Sequence, residues 1–455
     1  MNSLESVDPQ WAWQPFQPSA DQPWDRRGAA HLYRRAGFGA DVSQLDRAAQ
    51  LDPAEAVAQL VAQNQETSEF RTVADALAKT VLAGGDPMTL SAAWVYRLLL
   101  TPTQLLEKAT LFWHGHFATG ADKVKDASMM WQQNRLLRQQ ALGNFSELVQ
   151  AIAKDPAMLI YLDSASNRKA HPNENFAREL MELFCLGEGH YSEQDVQELA
   201  RCFTGWEIKN DRFRKNRYQH DNGVKRLLGK EGAFDGEAAV EIVIDQPSMP
   251  LFLCRKWFRF FVCDEPAPPD KLLMPLAETF RDRGYDIAPV LQKLFSSNLF
   301  FSSLSVGRKI KSPVESLVGT LRSLQGTTNT ELLARGLRDI GQGLFYPPNV
   351  KGWDGGRAWI NSSTLLGRAN LFQQVLNDSN TAFAGNSLQE YLGDQGIETP
   401  QQALQQWETR LLPHPLPSPV RSRLLQSFAS GNSAEDGGFR DLLHQFVSLP
   451  ECQLG

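Results

Sequence analysis

The chain has 455 residues, of which 42% are hydrophobic and 22% charged, and its formal net charge is −6. A chain of that length buries a substantial core, its composition excludes global disorder, and its negative balance argues against broad nucleic-acid binding, which leaves a basic footprint. Five cysteines (Cys185, Cys202, Cys254, Cys263 and Cys452), odd in number and without a CxxC pair, fit a reducing compartment.

The start, from Met1 to Trp24, is acidic, aromatic and Pro-rich rather than basic and then apolar, so it does not read as a signal peptide. No stretch approaches the ~20 apolar residues of a membrane span, and a cytoplasmic protein is expected. Helix starts follow in order. Asp41 caps a helix over Val42 to Gln50, and Asp52–Pro53, Asp86–Pro87 and Thr101–Pro102 each place proline where a first-turn N–H is not needed. Ser192 to Asp195 forms a capping box, Asp286 opens an apolar stretch ending near Phe295, and Ser312–Pro313 opens another through Leu321.

Apolar residues recur every three to four positions, which predicts an all-α fold, a multi-helix orthogonal bundle. Trp206 to Leu228 breaks that pattern. It is polar, aromatic and interrupted by Asn210–Asp211 and Asn222–Gly223, pairs suited to positive φ, so a small β-hairpin insertion is predicted there. The expected organisation is an N-terminal extension over 1–27, a helical core over 28–376 and a C-terminal helical segment over 377–455. The basic runs Arg212 to Arg217 and Arg255 to Arg259 read as solvated or ion-paired faces.

Three segments carry candidate chemistry. In Leu111 to Phe117, His114 and His116 are candidate metal ligands, although residues two apart diverge on a helix and share one ion only if it frays at Gly115. In His171 to Phe184, an advance of ~100° per residue gathers Phe176, Leu180, Leu183 and Phe184 on one face. Opposite them lie Asn175, Arg178, Glu179 and Glu182, with Arg178, Glu179 and Glu182 as candidate catalytic residues and Asn175 as a ligand-binding one. The same stripe also reads as a solvated face of Glu174–Arg178–Glu182 ion pairs. In Phe345 to Trp359, glycines allow close approach while Lys351, Arg357 and Trp353 offer charge and an aromatic wall to a ligand; a loop that only packs two helices is the alternative. His220, next to Asp221, is a third candidate metal ligand. No HExxH, P-loop, GxGxxG or GxSxG pattern is present, and no CxxCH.

His31 to Gly39, Leu111 to Phe117, Pro172 to Gly187, Phe203 to Trp206 with His220–Asp221, Lys311 to Glu315 and Pro347 to Trp353 occur in that order. Together they resemble the bacterial domain-of-unknown-function family numbered 1800, over about Ala29 to Asn370. The resemblance implies a bacterial source. It also implies a functional partnership with a protein resembling sulfatases and alkaline phosphatases, whose genes commonly neighbour the family and often encode a twin-arginine export signal. It carries no catalytic residue over.

Two readings result. One is a metal- or cofactor-dependent enzyme whose site joins His114, His116 and His220 to the carboxylates between helices, with Zn²⁺, Fe²⁺ or Mn²⁺ suited to such mixed N/O ligation. The other is a non-catalytic maturation or binding partner of the sulfatase-like protein, docking through the Trp/Gly loop.

Overall fold

The computed structural model describes residues 4–430 and 436–455. Within them the secondary structure is predominantly helical, with three small two-stranded antiparallel pairs. Local chemistry sets many of the boundaries. Asp41 accepts from the Gln44 amide while the Gln44 side chain reaches back, opening Val42–Ala49. Asp52 and Asp86 cap Pro53–Ala62 and Pro87–Leu100, Ser192 caps Glu193–Cys202, and Ser312 caps Pro313–Ser323 with Glu315 closing the box. Each such cap contributes about 1 kcal/mol. Pro102 departs from expectation. Thr101 spends its hydroxyl on Thr103, and the helix begins after it, at Gln104.

The insertion holds two hairpins. Trp206–Lys209 pairs with Arg212–Lys215 through Asn210 and Asp211, both at positive φ as expected of a tight hairpin turn. Lys225–Leu227 pairs with Lys230–Gly232 and turns at Leu228–Gly229, not at Asn222–Gly223. Asp221 accepts from the Gly223 amide and from Arg201, so that segment is held as a side-chain-stabilised loop instead.

The buried side chains form two large apolar clusters. One gathers residues between Leu4 and Phe301, with Trp13 and Phe16 of the first 27 residues inside it. The other joins Leu90 to Leu99 and Val314 to Leu324 with residues from Leu388 to Cys452, so the C-terminal helices share this core with earlier ones. The helix Gln104–His116 lies on the seam, giving Phe112 and Trp113 to the first cluster and Leu111 to the second. Every residue in it except Gly115 is buried. Burial on all sides forces its charges to pair: Glu107 accepts from Arg138 and the Trp94 indole, and Lys108 donates to Glu315.

No helix of the described residues is long and apolar enough to cross a membrane.

Candidate functional site

The helix Gln104–His116 does not fray at Gly115, so its two histidines diverge. His114 turns toward the Gly/Trp loop. Its Nε2 accepts the Phe345 N–H at 3.1 Å, which puts the ring proton on Nδ1. Phe345 is held at φ 66° between this bond and one from the Ala121 N–H to its carbonyl, a left-handed conformation costly for a phenylalanine. Burial pushes the His114 imidazole down to about 3, so it stays neutral.

His116 turns the other way, toward the end of the acidic helix. Asn175–Glu179 continues into a π-helical turn, Leu180–Cys185, closed by the Leu186 N–H on the Met181 carbonyl. Helix C-termini leave carbonyls without intrahelical partners. Two of them point at side chains here. Phe184 O accepts from His116 Nε2 at 3.0 Å, and Leu183 O accepts from Lys256 Nζ at 2.7 Å. Because Nε2 carries the proton, Nδ1 is free to accept, and Lys256 Nζ donates to it at 3.2 Å. Burial first and Lys256 second hold His116 well below the usual imidazole range. Lys256, on the helix Ser248–Phe261, is pushed down to about 8 by burial.

The loop reaches this helix through glycine. A Cβ on Gly352 would lie 2.1 Å from the Gly115 carbonyl oxygen, and Gly352 has φ +77°, so only glycine seats the loop there. Between the two helices and the loop lies a cavity of about 200 Å³. Phe112, Phe260, Trp353 and Trp359 give it aromatic walls, and Lys256, Arg259, Lys309 and Lys351 give it positive charge. Three carboxylates line it as well. Asp264 is occupied by Lys309 at 2.6 Å and by the Ile310 N–H, and Glu315 by Lys108 and the Ser312 N–H. Asp354 offers its backbone carbonyl to Arg259 at 2.7 Å. Among the described residues, none of Lys256, Arg259 and Lys351 forms an ion pair with a carboxylate. The cavity therefore presents Lys256, Arg259 and Lys351 without ion-pair partners against one such carboxylate, Asp354, beside apolar surface, which suits a small organic anion.

The other candidates sit elsewhere. Glu179 and Glu182 are near the cavity in sequence but do not line it. Burial first, then the Glu182 charge, raises the Glu179 carboxyl, and Lys351 opposes this. Glu182 accepts from the Tyr191 hydroxyl at 2.8 Å. Arg178 pairs with Glu193 and Glu174, as the ion-pair alternative expected for Glu174 but not for Glu182. Asn175 is exposed, its N–H bound to the Asn173 side chain. Arg357, 83% exposed, pairs with Glu265 at the rim. His220 is buried within the hairpin segment, its Nδ1 bound to the Thr204 carbonyl at 2.9 Å, and does not reach the cavity wall. Among the described residues no three His, Cys, Asp or Glu side chains are grouped to hold a metal ion. The ring nitrogens of His116 are both engaged, by Phe184 and Lys256, and Asp264 and Glu315 are already bound to lysines, so the donors gathered here do not fit a divalent cation.

Sequence reasoning missed Lys256 by treating Arg255 to Arg259 as solvated or ion-paired, which holds for Arg255, paired with Asp270, and for the exposed Arg259. The available signal was the spacing Phe252–Lys256–Phe260, which puts a lysine in the middle of an aromatic stripe at intervals of four.

Fold and site together define an all-helical protein with a cation-lined, aromatic-walled cavity where two helices and a glycine-bearing loop meet. The chain belongs to the family described as Protein of unknown function (DUF1800), whose match covers residues 31–454. No curated protein and no solved structure matches it. Three of the segments that carry the resemblance line this cavity, through His116, Ser312 to Glu315 and Lys351 to Trp353, and a fourth, Pro172 to Gly187, binds its His116 and Lys256 through Phe184 O and Leu183 O.

Proposed function

We propose that this protein binds a small organic anion, as substrate or cofactor, in the cavity between Gln104–His116, Ser248–Phe261 and the Trp353 loop. The observation that carries the reading is that Arg259 and Lys351, two cations without ion-pair partners among the described residues, line one cavity with the Lys256 amine. Arg259 and Lys351 are exposed and Lys256 is half-buried, so an anion entering the cavity can reach all three, and each contact to it is charge-assisted. The aromatic walls supply the apolar contact that separates an organic anion from an inorganic one. In the enzyme reading, His116 and Lys256 are the pair able to move a proton, and the metal-dependent variant is set aside in favour of a cofactor or substrate anion.

Titration with benzoate, pyruvate and inorganic phosphate, followed by tryptophan fluorescence, tests this. Binding of an organic anion that Arg259→Ala weakens at least tenfold, with the fold intact, is the expected result, since a charge-assisted contact contributes about 1.5–3 kcal/mol. Equal, weak responses to all three ions in wild type and variant would overturn it. The cytoplasmic location belongs to the same proposal and is supported by five thiols that are all free and buried. Cell fractionation checks it. The sulfatase-like partner is tested by co-purification from cells expressing both proteins.

A further inference from the structure

We infer that Lys256 condenses with the carbonyl carbon of a 2-oxo acid held in this cavity, forming an imine. The inference rests on reading the cavity as an organic-anion site and adds the class of ligand and the bond it forms.

The geometry at Nζ carries the argument. The structure offers two acceptors to this nitrogen, Leu183 O at 2.7 Å and His116 Nδ1 at 3.2 Å. A neutral amine has two N–H bonds, and these two acceptors use both. What remains is the lone pair of a lysine that lines the cavity. The acceptors are themselves fixed. Leu183 O belongs to the π-helical turn, and Nδ1 of His116 is kept as an acceptor because its Nε2 proton is committed to Phe184 O. No carboxylate pairs with the nitrogen, so nothing on the protein holds it as an ammonium salt bridge. Arg259 and Lys351 line the same cavity and provide for the carboxylate of a 2-oxo acid, while Phe112, Phe260 and Trp353 shelter its carbon skeleton.

The step balances without a redox partner. The Nζ lone pair adds to the carbonyl carbon, giving a carbinolamine. The two protons of the amine then depart with the carbonyl oxygen as water, and a C=N bond replaces C=O. His116 is a positioning residue: it orients the amine through Nδ1. Around Nζ stand His116 on one helix, the Cys185 thiol on the π-helical turn, Arg259 on its own helix, Lys351 and Asp354 on the loop, and the paired Lys309, Asp264 and Glu315 on the far wall. Burial, the largest influence, pushes Lys256 down to about 8, against ~10.4 for a lysine in water.

The experiment incubates the full chain with pyruvate and sodium cyanoborohydride and maps the reduced adduct by mass spectrometry, with lactate, which has no oxo group, as a binding control. The expected result is a single adduct on Lys256 that lactate slows by competition. Its rate should rise with pH and level off near about 8, where surface lysines continue to gain. It should vanish in Lys256→Met, whose fold is checked by circular dichroism. His116→Phe should slow trapping roughly tenfold, and His116→Asn, which restores an acceptor, should recover part of the rate. Adducts spread over surface lysines, or pyruvate and lactate that bind while Lys256 stays unmodified, would overturn the imine and leave the anion site standing. Failure of both acids to bind would overturn the two readings together.

Discussion

The backbone N–H of Phe345 donates to Nε2 of His114 across 3.1 Å, tying a left-handed residue of the Trp353 loop to the helix that also carries His116. One side chain thus latches the loop, and its neighbour two positions on faces the amine. Replacing His114 with phenylalanine keeps the aromatic volume and removes the acceptor. The buried Phe345 N–H then loses its partner, at a cost of about 1–3 kcal/mol. Urea denaturation should show that loss, together with weaker anion binding as the loop loosens.

The same histidines predict a pH dependence of stability. His31, His114 and His116 are all held below the usual imidazole value, chiefly by burial, and His114 is pushed down to about 3. Such groups stay neutral when folded and take up a proton when unfolded. Above about pH 6.5 neither state binds it and nothing is lost. As pH falls below that, the unfolded state binds more protons and stability declines by up to ~1.4 kcal/mol per pH unit for each histidine. Asp155 acts in the opposite sense, because burial pushes its carboxyl up to about 6 and the folded state takes its proton first. Denaturation curves at pH 7.5 and 5.5 should show lower stability at the acid end. The drop should shrink in the His114→Phe variant.

Two glycines face each other where the loop meets the helix, and they should respond differently to a methyl group. Gly352→Ala places a Cβ against the Gly115 carbonyl at a positive φ, and should cost at least about 2 kcal/mol and abolish anion binding. In Gly115→Ala the new Cβ would meet only the Trp353 ring, at 3.6 Å, an ordinary contact. That variant should be neutral or gain up to ~1 kcal/mol from helix propensity. Thermal unfolding of the pair separates the two cases.

Lys108 is fully buried, and Glu315 accepts from it while closing the capping box at Ser312. Burial raises the Glu315 carboxyl, but the Lys108 and Lys309 charges outweigh it and hold it at about 2. Glu315→Gln keeps the shape and leaves Lys108 without its counter-charge, so a loss of about 3–5 kcal/mol is expected. A Lys108→Met, Glu315→Gln double variant should recover part of it. Chemical denaturation of the single and double variants measures the coupling.

Helix starts were readable because a cap is a matter of three or four consecutive residues: Asp41 with Gln44 and Ser312 with Glu315 declare themselves. So did the turn at Asn210–Asp211. The second hairpin did not, since Leu228 carries no turn signal, and its φ of 50° is imposed by pairing across Lys225–Leu227 and Lys230–Gly232. At the site, the sequence pointed to His116, Lys351 and Trp353 but joined them to the wrong companions. It set the histidines against the carboxylate stripe, whereas the chain ends that helix in a widened turn and offers main-chain carbonyls instead. Main-chain groups have no letter in a sequence. Lys256 was hidden for a related reason: a cation in a basic run looks solvated until tertiary folding sets it against His116 and the Leu183 carbonyl.

The π-helical turn at Leu180–Cys185 gives the cavity a dependence on chain register. A π turn holds one residue more than the α turn it replaces, so deleting a single residue there would rewind the segment and swing the Leu183 and Phe184 carbonyls by about 100°. Every side chain lining the cavity would remain, yet the amine would lose one anchor and the imidazole its fixed tautomer.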